Sequence, residues 1–214
     1  MRLTLPLKDY RPYAVGESVV KNRMSAEELG LEGPKYDKEI RFHHPETGAE
    51  TLVMQSRYME EKLWDKSNDP GKTFTQTYPE GDWANAREVK IADGYEQRIL
   101  DFQMLDPEGN DLADDILGLD RPVVLHISKD LSAMSTDWQE GFNALGADAG
   151  DRGWAMYGLT NATAEEGAAY AAAQGATYPF LTCDQTELKI VVRSNPGLVL
   201  LKDGVVLKKW AGRD

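Results

Sequence analysis

Few side chains in this sequence could do chemistry. Cys183 is the only cysteine in 214 residues, so an intrachain disulfide, a dithiol couple and a multi-cysteine metal centre are all excluded. It stands directly before Asp184, at the expected start of a helix. There an exposed thiol would be acidified by unsatisfied backbone N–H groups and could support mixed-disulfide or peroxidase-type chemistry. The alternative reading is a small apolar residue that closes a core strand. Ser132 and Ser135 bracket Ser132-Ala133-Met134-Ser135. Either hydroxyl would be a nucleophile only beside a base. The nearest base in sequence, His126, lies in an apolar run that points it into a packing layer. The serines then read as polar groups of a loop or helix start, and His126 as a hydrogen-bonded core histidine.

Metal ligation is disfavoured. His43 and His44 are adjacent, so on a strand they face opposite ways. Asp111, Asp114 and Asp115 lack the spacing of a calcium loop. No metal and no cofactor is expected.

The formal charge is −12, from 36 acidic and 24 basic residues, which repels polyanions and makes nucleic acid an unexpected partner. Within the first 24 residues the sign reverses: Arg2, Lys8, Arg11, Lys21 and Arg23 stand against Asp9 and Glu17. Such a leader can lie beside a membrane or another anionic surface, or be a solvated arm. No stretch of about 18 apolar residues and no signal-peptide core is present.

The elements that must position these residues follow from periodicity. Residues 1–37, broken by Pro6, Pro12, Gly16, Gly30, Gly33 and Pro34, read as an extended lead-in. Residues 38–97 read as a small β-rich subdomain. In it two alternating runs flank the turn Pro45-Glu-Thr-Gly48, and a short helix from Ser56 to Lys66 precedes a long loop from Ser67 to Asp82. From 98 onward the pattern sharpens. A strand over Leu100, Phe102 and Met104 stops at the turn Asp106-Pro-Glu-Gly-Asn110, and a short helix runs from Leu112 to Leu117. Val123-Val-Leu-His-Ile-Ser128 has the near-continuous apolar run of a strand buried on both faces.

Thr136 and Gln139, in capping-box register, open a helix that Gly146 should end. A strand follows at 154–160, then an Ala-rich helix capped by Thr163 and Glu166 and ended by Gly175, and a third strand at 178–182. Asp184 and Glu187 fit another capping box. The last element is a hairpin turning at Lys202-Asp-Gly-Val205. Alternating strands and helices predict an α/β fold with a parallel core closed by an antiparallel hairpin.

Residues 98–214 resemble the thioredoxin superfamily. The most specific stretch is Arg193-Ser-Asn-Pro-Gly-Leu-Val-Leu-Leu-Lys-Asp-Gly-Val205, where Pro196 takes the place of that family's cis-proline. The resemblance implies a thioredoxin-like fold, with a central mixed sheet and flanking helices, preceded by the small β-rich subdomain. It also implies that the family's Cys-x-x-Cys position is held here by Ser132-Ala-Met-Ser135, so that dithiol exchange is lost. The superfamily grips extended peptide backbone at this corner. The binding residues implied are therefore Ser132, Ala133, Met134, Ser135, Asn195 and Pro196, with a protein or extended peptide as partner and Cys183 catalytic only under the single-thiol alternative.

Leu5-Pro-Leu-Lys-Asp-Tyr-Arg-Pro-Tyr-Ala-Val-Gly16 is similar to the segment after the last membrane helix of DoxX-type membrane proteins of Bacteroidetes-like bacteria, whose tails carry related Ser-Asn-Pro-Gly and Leu-Lys-Asp-Gly phrases. That resemblance implies a membrane-protein partner, or a membrane-embedded portion ahead of this chain. Thioredoxin-like tails of this kind imply the extracytoplasmic face, whereas the positive leader favours the cytoplasmic one.

Overall fold

The structure is a computed structural model that describes residues 9–134 and 136–212, the side chains of Thr136 and Asp137 excepted. The chain forms two compact units, one made of residues up to 24 together with 97 onward, the other of residues 25–96. Of the predicted lead-in, residues 9–24 thus fold with the later part of the chain and 25–37 with the intervening part. The first unit opens with helix α1 (Val19–Arg23), whose N-cap Ser18 accepts a hydrogen bond from the Lys21 N–H.

In the second unit β1 (Lys35–His43) pairs antiparallel with both β2 (Glu50–Met54) and β3 (Gly81–Ala92), giving the order β2-β1-β3. Ile40 and Phe42 point to one side of this sheet and form a small core with Val53 and Leu63. The predicted helix at 56–66 is shorter, α2 (Gln55–Glu60), and the predicted loop at 67–82 contains a helix, α3 (Asp69–Thr77). Asn68 caps α3 and Pro70 lies in its first turn. The Pro/Gly composition there marks a helix start. Gly71 is required by packing, because a Cβ would stand 2.1 Å from the Asp65 carbonyl oxygen.

The first unit continues through α4 (Ala113–Leu117), β4 (Val123–Ser128), α5 (Thr136–Asp151), β5 (Ala155–Thr160), α6 (Ala164–Gln174), β6 (Phe180–Thr182), α7 (Gln185–Val191), β7 (Gly197–Lys202) and β8 (Val205–Ala211). Its sheet has the order β6-β5-β4-β7-β8. β4 is parallel to β5, and β5 to β6, while β7 is antiparallel to both β4 and β8. All six residues of β4 are buried. The result is the thioredoxin-like α/β arrangement. The Thr163–Glu166 capping box and the left-handed Gly175 cap of α6 both form.

Three local expectations are corrected. No strand forms at 98–104: Ile99, Phe102 and Met104 are buried, but Leu100 is 79% exposed, and only Leu105 bridges to Thr182 before the turn begins. Second, α5 runs through Gly146 to Asp151. That glycine allows close packing, since a Cβ would lie 2.9 Å from Thr177 Oγ1 and 3.0 Å from Tyr178 Cδ1. Third, Asp184 caps α7 alone, because the Glu187 carboxylate accepts a 2.7 Å hydrogen bond from the Tyr13 hydroxyl.

Residues 13–19 complete the face of the sheet opposite α5. Tyr13 is 1% exposed and packs on Phe102 with ring centroids 5.4 Å apart. Gly16 N–H donates to the Val206 carbonyl, Val206 N–H to Glu17 and Val19 N–H to Gly204, so the segment pairs with the outer edge of β8. The buried Lys209 ammonium donates to Asp9 and to the Tyr13 carbonyl, each at 3.2 Å. Arg11, beside Asp9, holds that carboxyl well below the usual carboxylate range. The two junctions of the unit are adjacent: Arg98 and Ile99 N–H both donate to the Asn22 carbonyl, and Gln97 Nε2 donates to the Arg23 carbonyl at 2.7 Å.

Tyr13→Ala should lower the free energy of urea unfolding by about 3 kcal/mol, through lost burial and an unpartnered Glu187. Leu100→Ala, at an exposed position, should change it by less than about 0.5 kcal/mol.

Candidate functional site

The candidate corner lies where β4 ends and β7 begins. The Asn195–Pro196 bond is cis. The Asn195 side chain reaches across to the loop after β4: its Oδ1 accepts the Lys129 N–H at 2.7 Å and its Nδ2 donates to the Asp130 carbonyl at 3.1 Å. Asp130 in turn organises the loop. Its Oδ1 accepts from the Ser132 N–H at 2.9 Å, the Ser132 hydroxyl at 2.6 Å and the Ala133 N–H at 3.2 Å. These donors, the Ser132 hydroxyl foremost, hold the Asp130 carboxyl below its ordinary range.

Of the predicted binding residues, Ser132 and Ala133 are exposed and Asn195 is half-buried beside them. Met134 is turned inward, packing in a cluster with Val124, Phe142 and Tyr178, and Pro196 is buried. Ser135 lies outside the described residues. An open cleft of about 520 Å³ borders the loop, lined by Lys129, Asp130, Ser132, Asn161, Glu166 and Tyr170 among others. Lys129 donates to the carbonyls of Arg193, at 2.5 Å, and Val192, just past the end of α7. Its pKa is lowered by partial burial and by the positive charges of Lys189 and Arg11.

Cys183 is not the acidified thiol that its position before a helix suggests. It is 3% exposed and belongs to the core with Leu159, Leu181 and Leu188. Burial, reinforced by the charges of Glu187 and Asp184, pushes the thiol up to about 12. Asp184, one residue later, takes the helix N–H groups that would have stabilised a thiolate.

His126 is a core histidine with an extended set of partners that spacing alone did not reveal. Gln139, its amide turned inward, donates to the Tyr178 oxygen at 3.0 Å and to Asn143 Oδ1 at 2.7 Å, and accepts from the Tyr170 hydroxyl at 3.2 Å. His126 Nδ1 lies 2.8 Å from the Tyr178 hydroxyl, and with that hydroxyl assigned as the donor the imidazole proton sits on Nε2. The ring is 0% exposed, packs on Phe142 at a tilt with ring centroids 4.0 Å apart, and leaves Nε2 without a partner among the described residues. Burial holds its pKa at about 3, so it is neutral. Gln139 thus turns its amide to the core, while the Thr136 side chain of the expected capping box lies outside the described residues. The one signal in the sequence was a histidine inside an apolar run. Tyr178, Gln139 and Tyr170 converge on it only through the crossovers.

Fold and corner together define a thioredoxin-like domain in which no cysteine stands at the head of α5. No family model and no curated protein matches the sequence. Solved structures that it resembles include a peroxidoxin of Mycobacterium tuberculosis, at 18% identity and TM-score 0.45 over 54% of this chain and 84% of that one. A thiol-disulfide oxidoreductase of Bacteroides fragilis is similar at 12% identity and TM-score 0.43, over 51% and 86% of the two chains. Peroxiredoxin Q of Xanthomonas campestris is similar at 16% identity and TM-score 0.38, over 52% and 78%. The likeness is one of fold.

The neutral imidazole makes stability depend on pH. The unfolded chain binds a proton at His126 near pH 6.5, whereas the folded chain resists protonation down to about 3. The stabilisation is full above 6.5 and is lost as pH falls. Between pH 6.5 and 5 the unfolding free energy should drop with a slope approaching about 1.4 kcal/mol per pH unit. Urea melts of His126→Gln over the same range should be flatter, and equal slopes would mean that the native imidazole already carries the proton.

Proposed function

We propose that the thioredoxin-like unit is a redox-inactive binding module, acting with a DoxX-type membrane protein and taking an extended segment of a partner protein at the corner of residues 132–135 and Asn195–Pro196. The observation that carries this reading is the state of the thiol. The only cysteine is shut in the core with its pKa raised to about 12, which leaves almost no thiolate near neutral pH. The loop that would carry a dithiol has instead a serine hydroxyl donating to Asp130, a geometry that orders a loop and activates nothing. Ser132 and Ala133 are exposed beside Asn195 and Ser132 lines the neighbouring cleft, which gives an extended segment access to a loop whose own polar groups are already held in place.

The membrane association rests on the likeness of residues 5–16 and on the basic leader. No helix among the described residues is long and apolar enough to cross a bilayer. We place the module on the extracytoplasmic face, the side on which thioredoxin-like tails usually stand.

The rival is a single-thiol oxidoreductase or peroxidase using Cys183, and the two separate cleanly. The purified protein should fail to reduce insulin disulfides. Cys183 should alkylate at least about a hundredfold more slowly in native buffer than in urea, as a core thiol requires. Insulin reduction at the rate of a dithiol thioredoxin, or rapid peroxide-dependent oxidation of native Cys183, would overturn the reading.

A further inference from the structure

On the side of the sheet that carries α5, the helix layer stops early. α5 lies against β5 and α6 against β6, and among the described residues no helix covers β7 and β8 on this side. There the strands present Leu198, Leu200, Lys208 and Trp210, set on one side by the pairings Leu198↔Trp210 and Leu200↔Lys208. Leu198, Leu200 and Trp210, together with Trp138, Phe142 and Trp154, line a groove of about 270 Å³ whose lining contains no charged side chain, with Lys208 beside it. Trp138 is 40% exposed, and Leu198, Leu200 and Trp210 are half-buried.

Two features say what fits. The first is width. Two strands about 4.8 Å apart leave a trough of about 10 Å, the diameter of one α-helix with side chains. The second is charge. In a chain of net charge −12, β7 and β8 contain no acidic residue, and Lys202 and Lys208 stand on the same side as Leu198 and Leu200. Lys208 Nζ lies 4.9 Å from the Trp210 ring centroid at the rim, and Arg152, itself paired with Asp148, lies 6.0 Å from that of Trp154. A bilayer surface is too flat to enter a trough.

We infer that this groove is a docking site for an amphipathic helix of a partner protein, one whose apolar stripe is flanked by Asp or Glu. The stripe displaces water from the tryptophans and leucines, and the acidic flank meets Lys202 and Lys208. The groove adjoins the corner proposed above through Gly197 and Gly212, beside Pro196, but its test reads Leu200 and Lys208, which are not part of that corner, so either reading can fail without the other.

The test uses the full chain and two synthetic amphipathic peptides of about 18 residues, five helical turns, with the same leucine stripe but flanked by glutamate in one and lysine in the other. The glutamate peptide should bind with a blue shift of tryptophan fluorescence, and the lysine peptide at least about tenfold more weakly. Lys208→Glu should weaken the first and strengthen the second by about tenfold each, while Leu200→Glu should abolish both. Lys208 is exposed, so its variant keeps the test decisive if Leu200→Glu does not fold. Three results would overturn the proposal. The two peptides could bind equally or not at all; anionic phosphatidylglycerol vesicles alone could produce the blue shift; or light scattering could show a dimer that Lys208→Glu alters.

Discussion

Strand β4 must be dry on both sides, and most of the first unit is an answer to that demand. Val123, Leu125 and Ile127 face one layer, Val124, His126 and Ser128 the other. The first side is closed with apolar residues from α4, α7 and the segment around Tyr13. The second holds a histidine, which cannot be buried without partners. Tyr178 is brought to its Nδ1, Gln139 holds Tyr178, and Tyr170 and Asn143 hold Gln139. One imidazole thereby ties α5, α6 and the entry to β6 to the central strand. Among the described residues Nε2 has no partner, and neither do the hydroxyls of Ser128 and Ser194.

The same economy explains the corner. A loop between a buried strand and a helix has backbone groups to satisfy, and Asn195 and Asp130 satisfy several of them with two side chains. The polar groups that in sequence suggested chemistry are largely consumed in holding the loop. Cys183 shows the principle from the other side: proximity to a helix start does not acidify a thiol when a carboxylate already occupies the N-cap and the sulfur faces the core.

Much of the first unit was legible because its signals are local. The apolar run of β4, the Thr163–Glu166 box, Gly175 and the Asp203-Gly204 turn each specify their own geometry. Where the reading failed, the deciding partner was remote in sequence. Gly146 looks like a helix end until Thr177 and Tyr178 are placed against it. Glu187 looks like a capping partner until Tyr13 arrives from more than 170 residues away. The alternation at Leu100, Phe102 and Met104 reads as a strand, but Leu100 faces solvent and only Leu105 finds a ladder partner. In the second unit, Pro70 and Gly71 read as loop residues because helix starts and loops share a composition. Of the candidate site, the absence of a dithiol was plain from the cysteine count; the inward turn of Met134 and the bridging by Asn195 were not.

The hydrogen bonds from Arg98 and Ile99 to Asn22, and from Gln97 to Arg23, make residues 25–96 an insertion within the first unit. The chain leaves that unit after α1 and re-enters beside the point of departure. A single proteolytic nick in the insertion leaves residues 9–24 held to the edge of β8 and to Lys209 by hydrogen bonds that need no covalent continuity. Topologically the inserted piece is an excisable loop. A few residues linking 24 directly to 97 would close the unit on itself, and closing a shorter loop demands less chain entropy.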